Sequence, residues 1–228
     1  MRFYQSILFF LFGMCVFAQE KIIDFDAVDS LYREDQFYIG LTYNKLQKTP
    51  SGLTQNKFSS GISLGFLRDM PFNKSRTWAV AVGVGYALNN YNQNLIITKL
   101  GTEYNYTTDS SILFDKNKIS LHYVEVPLEI RWRNSIAESH KFWRIYLGFK
   151  ASYLIYDRYK FTNAEGKIIF TGNKDLNEIQ YGAYLALGWN TWNFYAYYGL
   201  SPLFKSAKVS EKKLDMNTLN LGLMFYIL

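Results

Sequence analysis

Any chemistry on this chain would rest on a short list of side chains. Glu125, Glu129, Arg131 and Arg133 occupy alternate positions of one segment, and Arg144 and Lys150 share a phase in the next. On extended chain, residues two apart lie on one face, so these charges would converge. Buried together they must pair, because removing one partner of a buried pair costs about 3–5 kcal/mol. The same charges along a thin water path would form an ion-selective constriction instead. Ser120 and His122 form the one nucleophile-and-base arrangement worth naming, in Ser-x-His spacing. Glu125 falls on the opposite phase, so no acid is placed to orient that imidazole. His140, the only other histidine, belongs to a short connection. The bland reading of His122, an aromatic at a membrane boundary, is preferred, and no enzyme is expected. No metal-ligand cluster, phosphate-binding glycine loop or internal repeat beyond a hairpin rhythm is visible, so no cofactor is expected.

The elements that carry these residues read at period two. Trp78, Val80, Val82, Val84, Tyr86 and Leu88 alternate with Ala79, Ala81, Gly83, Gly85, Ala87 and Asn89. Such alternation sorts residues onto the two faces of a strand. Leu219, Leu221, Leu223, Phe225 and Ile227 repeat the pattern near the C-terminus. Eight strands are expected, at roughly 36–47, 58–69, 77–91, 119–133, 142–157, 176–189, 192–205 and 216–227.

The face opposite each apolar stripe decides the class. A soluble sandwich would carry Lys, Glu and Thr there. This chain carries Gly, Ala, Ser, Tyr and a few embedded charges. Glycine is poor in strands unless backbones or side chains must approach closely, as in a narrow barrel interior. The expected fold is therefore an all-β, eight-stranded antiparallel up-and-down transmembrane β-barrel with its apolar face on lipid. In the longest connection, 92–118, the pieces Leu95–Leu100 and Ser110–Phe114 are read as extending the flanking strands beyond the membrane; a ten-stranded count, with that connection as an extra hairpin, is the alternative.

Loop lengths and tryptophans agree with a barrel. Connections at about 48–57, 92–118, 158–175 and 206–215 are long; those at about 70–76, 134–141 and 190–191 are short. Outer-membrane barrels alternate long outer loops with short periplasmic turns, which puts both termini on the periplasmic side. All five tryptophans, Trp78, Trp132, Trp143, Trp189 and Trp192, sit beside short turns and on the apolar phase. Indoles favour the membrane–water boundary, so a periplasmic-side aromatic girdle is expected.

Composition agrees. The chain has 228 residues, 49% hydrophobic and 18% aromatic, which excludes disorder. A mean hydropathy of -0.13, with no apolar run of about 18 residues, excludes a bundle of membrane helices. Residues 1–18 read as a signal peptide: Arg2, an apolar stretch Ile7–Phe17, and cleavage between Ala18 and Gln19. A lipoprotein signal at Cys15 fits poorly, because Gly13-Met14 precedes it. Cys15 is the only cysteine, so cleavage leaves no thiol for a disulfide, catalysis or a metal. Removing Arg2 takes the formal charge from +6 to +5, spread along the chain and unlike a nucleic-acid footprint. Residues 19–35 are expected to form a periplasmic segment. A solvated linker is the preferred reading; Ile22, Phe25, Val28 and Leu31 offer the other, an amphipathic turn at the barrel mouth near Arg133 and Arg144. The barrel itself is expected over 36–228.

An eight-stranded lumen is filled by its own side chains. If the short turn centres near Ala137, Arg131 falls opposite Arg144, Glu125 opposite Lys150, and Glu129 diagonal to Arg144. The expectation is a salt-bridged polar core. The last strand reads polar-x-Gly-x-x-apolar-x-apolar, with Asn220, Gly222, Phe225 and Ile227 at the marked places. It looks like a terminal signal read by the barrel-assembly machinery. The expected partners are outer-membrane lipid, that machinery, and an unidentified protein of the envelope.

Tyr123-Val124-Glu125-Val126-Pro127-Leu128-Glu129-Ile130-Arg131-Trp132-Arg133, then Phe142-Trp143-Arg144-Ile145-Tyr146-Leu147-Gly148, resembles the PorT-type outer-membrane barrel proteins of Bacteroidota. Gly65-Phe66-Leu67-Arg68-Asp69-Met70-Pro71 and the ending Gly222–Leu228 are similar to that family too. The resemblance covers essentially all of the mature chain and implies an outer-membrane barrel without a defined activity. One member acts in type IX secretion; many relatives carry only a "porin family" label. The expected function is a structural or interaction role, for example as accessory to an envelope or secretion complex; the alternatives are a narrow low-conductance pore and, behind it, a lipid-modifying enzyme.

Overall fold

A computed structural model describes residues 35–109, 111–134 and 143–227. The expected signal peptide, the cleavage pair Ala18 and Gln19, the periplasmic segment except Asp35, and His140 lie outside the described residues. Thirteen strands follow in chain order: β1 Gln36–Gln47, β2 Ser60–Pro71, β3 Trp78–Asn92, β4 Ile96–Leu100, β5 Glu103–Thr107, β6 Lys116–Arg133, β7 Trp143–Asn163, β8 Gly166–Phe170, β9 Ile179–Trp189, β10 Trp192–Gly199, β11 Lys208–Val209, β12 Lys212–Lys213 and β13 Asn217–Ile227.

Eight of them close a ring. Each pairs antiparallel with the next, in the order β1-β2-β3-β6-β7-β9-β10-β13, and β13 returns to β1 through Phe37 opposite Ile227. The eight-stranded antiparallel barrel is thus observed, and closure removes the sheet edges. Segment 92–118 does contain a hairpin, but β4 and β5 pair only with each other and stand outside the barrel ladder. Its Ser110–Phe114 piece forms no strand among the described residues. The ring therefore has eight strands rather than ten.

The faces fall as the alternation requires. Phe37, Ile39, Leu41, Val82, Val84, Val126, Leu128, Leu147 and Phe194 are exposed on the outer wall. Tyr38, Ala81, Glu129, Tyr146, Tyr184 and Tyr226 are buried inside. Glycine makes room for the tyrosines. A Cβ on Gly148 would fall inside the Tyr184 ring, and one on Gly85 would strike the Tyr38 hydroxyl.

Three strand details depart from expectation. The seventh barrel strand, β10, ends at Gly199 rather than near 205, because Leu200–Pro202 bend away to meet the long connection. β9 begins at Ile179, three residues later than expected. β7 runs to Asn163, and its phase flips at a bulge where His122 faces Tyr156 but Tyr123 faces Leu154. One extra residue, Ile155, exchanges the faces beyond it, so Asp157, Tyr159 and Phe161 point inward there.

The long connections fold into a second apolar core above the lumen. Leu95, Ile97, Tyr106, Leu121, Tyr159, Leu176, Phe204, Leu214 and Met216 are buried together in it. The Tyr106 ring meets Phe204 edge-on at 5.5 Å, and Ile97 N–H donates to the Tyr159 oxygen at 3.1 Å. The barrel is capped at the end opposite the short turns.

Candidate functional site

All six charges expected in the lumen are buried there: Glu125, Glu129, Arg131, Arg133, Arg144 and Lys150. Glu125 and Lys150 form the expected ion pair, but the ladder register differs from expectation. Arg133, not Arg131, lies opposite Arg144; Arg131 faces Tyr146, Glu129 faces Gly148, Glu125 faces Ser152, and Lys150 faces Pro127. The hairpin is shifted by two residues. An even shift keeps every side chain on its face, so hydrophobic alternation cannot detect it.

The missing partner was Asp69 of β2. Both Asp69 and the two guanidiniums it serves are fully buried. Arg131 Nη1 donates to Asp69 Oδ1 at 3.0 Å, while Arg133 donates through Nη1 at 3.0 Å and Nη2 at 2.8 Å. Arg131 Nε also donates to Glu129 Oε2 at 2.6 Å, and Tyr184 OH donates to Glu129 Oε1 at 2.7 Å. Among the described residues two cations and two anions thus sum to zero in a forked network, the geometry in which arginine–carboxylate bonds are strongest. The Arg131 guanidinium lies 4.7 Å from the Tyr146 ring centre. Asp69 was legible as an inward acid, since it shares the phase of Gly61, Gly65 and Leu67 on its strand.

Above this network Lys150 Nζ pairs with Glu125 at 2.9 Å and lies 4.6 Å from the Tyr197 ring centre. Arg144 Nη1 donates to the Asn190 carbonyl at 2.9 Å in the neighbouring turn. Cavities of about 10 and 20 Å³ flank the Glu125–Lys150 pair, room for one water at most. Charge network, tyrosine layer and apolar cap follow one another along the axis. Asp35, the one described residue of the N-terminal segment, accepts from Arg68 at 2.7 Å and from the Asp69 backbone N–H at 2.9 Å.

The five tryptophans line one rim on the outer wall. Trp78 faces Trp132, Trp143 faces Trp189, and Trp189 faces Trp192 across their ladders. At the other end of the wall lies an aromatic ring the sequence reading missed. It comprises Tyr43 with Phe58, Tyr86 with His122 and Tyr156, and Tyr153, Tyr181 and Tyr198. The ten steps from Trp132 to His122, at about 3.3 Å each and tilted about 40°, rise about 25 Å, matching the apolar band of outer-membrane barrels. A signal existed: outward Tyr43, Tyr86, Tyr153 and Tyr198 come in the second halves of up-running β1, β3, β7 and β10 or near them, while His122 and Tyr181 come early in β6 and β9, which run the other way.

The Ser-x-His arrangement does not assemble. Ser120 Oγ donates to Asn90 Oδ1 at 2.8 Å and is buried, although its phase is outward. His122 Nδ1 shares a hydrogen bond with the Tyr86 hydroxyl. On β13, Asn220 points inward and buried, Gly222 backs onto the Leu41 carbonyl, Phe225 meets Trp192 at 5.5 Å, and Ile227 is exposed outward. The cap carries an open polar recess of about 530 Å³ lined by the β4–β5 and β11–β12 hairpins together with Asp175.

No curated protein matches the chain. Two solved structures of Ail, the attachment invasion locus protein of Yersinia pestis, superpose on it. One, in complex with the heparin analogue sucrose octasulfate, is 15% identical with a TM-score of 0.39; the other is 16% identical at 0.38. Each comparison covers 86% of this chain and 100% of the other. The sequence profile of the outer membrane protein beta-barrel domain matches residues 17–205. With the closed ring, the lipid-type outer wall and that match over most of its length, the chain belongs to the outer membrane protein beta-barrel domain family.

Proposed function

We propose that this barrel has a structural or interaction role: it holds an ordered cap at the outer face of the outer membrane, as an accessory to a larger envelope complex. The carrying observation is the doubly sealed lumen, closed by the Asp69–Arg131–Arg133–Glu129 network and again by the apolar cap. A filled axis supports this reading over a narrow pore. The separate engagements of Ser120 and His122 support it over lipid chemistry. An ordered cap with a concave polar recess suits contact with another molecule better than passage of one.

In this reading residues 1–18 are removed after Ala18, leaving Gln19 first, and both termini are periplasmic. The tryptophan rim marks the periplasmic boundary and the tyrosine–histidine ring the outer one. Asn220, Gly222, Phe225 and Ile227 present the last strand to the barrel-assembly machinery. The PorT-type resemblance supports a place beside a secretion or envelope assembly. Planar-bilayer recording of refolded protein tests the sealed lumen: no steady unit conductance is expected, and one abolished by Glu125→Ala would establish the pore instead. Crosslinking in native membranes through a photoreactive residue at Ser210, in the recess, should yield a discrete protein adduct. Adducts to lipid alone would remove the interaction role.

A further inference from the structure

Directly above the outer aromatic ring, five cations gather on one stretch of outer wall. Lys118 of β6 stands opposite Lys160 of β7, with Arg158 one outward position below and Lys116 one above. Lys167 of β8 lies opposite Thr162, next to them. Asp157 faces inward, where it accepts from the Gly172 and Asn173 backbone N–H groups. Asp115 precedes β6, and Glu165 sits in the turn between β7 and β8. None of the five cations forms an ion pair among the described residues. Like charges directly opposite on a ladder destabilise it. Lys116 and Lys167 hold the Lys160 ammonium below its ordinary range. A cluster kept at such a cost calls for an anion from outside the chain.

Its position names the anion's carrier. The wall below the cluster is apolar down to the tryptophan rim, with Val124, Val126, Leu128, Leu147 and Phe149 exposed on it. His122 and Tyr156, in edge-on contact at 5.1 Å, form the step between wall and cations. A molecule with acyl chains on that wall and phosphate groups just above the hydrocarbon would meet both features together. We propose that Lys116, Lys118, Arg158, Lys160 and Lys167 form a site for the phosphate groups of an outer-leaflet glycolipid, whose acyl chains lie on the β6–β7 wall. The proposal rests on the long-loop end facing outward. Arginine contributes a forked contact to phosphate oxygens, and the lysines act as point charges.

The test uses the full mature chain, refolded in detergent micelles and titrated with bisphosphorylated lipid A, its dephosphorylated form, or inorganic phosphate, with bound species counted by native mass spectrometry. The wild type should retain the bisphosphorylated lipid selectively. Lys118→Gln/Arg158→Gln/Lys160→Gln should bind it roughly a hundredfold more weakly, as expected for three lost cation contacts. Heat-dependent gel mobility checks that the variant is folded, and Lys208→Gln/Lys212→Gln/Lys213→Gln, away from the wall, should bind like wild type. Equal retention by the first variant, equal binding of the dephosphorylated lipid, or displacement by millimolar inorganic phosphate would each overturn the proposal. Labelling of Ala164→Cys by a membrane-impermeant maleimide on intact cells reads the orientation separately. No labelling overturns both orientation and site, whereas labelling with unchanged lipid binding overturns the site alone.

Discussion

Asp69→Asn is the most searching perturbation of the lumen. The wild-type carboxylate accepts three bonds from two buried guanidiniums, at 2.8 to 3.0 Å. The amide keeps one acceptor and turns an NH2 group toward a donor. Among the described residues the cluster goes from two cations and two anions to two cations and one anion, at a site where Asp69, Arg131 and Arg133 are fully buried. Loss of a buried partner costs about 3–5 kcal/mol. Urea titration of protein refolded into vesicles, read by tryptophan fluorescence and gel mobility, should show the midpoint falling by about 2 M for a denaturant slope of about 2 kcal/mol per M. Adding Arg133→Met restores neutrality, leaving Arg131 with Glu129. The double variant should then be more stable than Asp69→Asn alone, and the two changes strongly non-additive. If Asp69→Asn lies within about 0.5 kcal/mol of wild type, or the two effects simply add, the network does not hold the lumen together.

Gly148→Val should displace the Tyr184 ring and break its bond to Glu129, costing about 1–3 kcal/mol in the same titration; Gly101→Val, in a turn with no neighbour at its Cβ, serves only as a check on β-branching at positive φ. In the cap, burial pushes the Tyr159 phenol up to about 12. The unfolded phenol ionises near pH 10, so its stabilising contribution is complete below pH 10 and is lost as pH rises from 10 to 12. Tyr159→Phe should flatten the decline of cap stability over that window, measured by proteolysis of the long connections. Phospholipids brominated near the headgroup should quench the tryptophan fluorescence more strongly than those brominated at the chain ends; the reverse order would move the tryptophan rim away from the boundary.

The faces of this barrel were decided by sequence alone. Val82 and Leu128 outside, Ala81 and Glu129 inside, follow from strict alternation, and one odd slip would have put every apolar residue in the wrong solvent. Strand count, the sorting of loops by length and the single tryptophan rim were legible for the same reason: each repeats hairpin after hairpin. What alternation cannot carry, the tertiary structure decided. An even slip between β6 and β7 costs nothing in face assignment, so only Asp69, brought in from two strands away around the ring, selects the partners of Arg131 and Arg133. The bulge at His122 and Tyr156 reverses the phase of β7 by one extra residue, a local event invisible to a periodic reading. The apolar cap and the clustering of Lys118, Arg158 and Lys160 depend on contacts between distant segments, which chain closure creates and which no spacing along a single strand records.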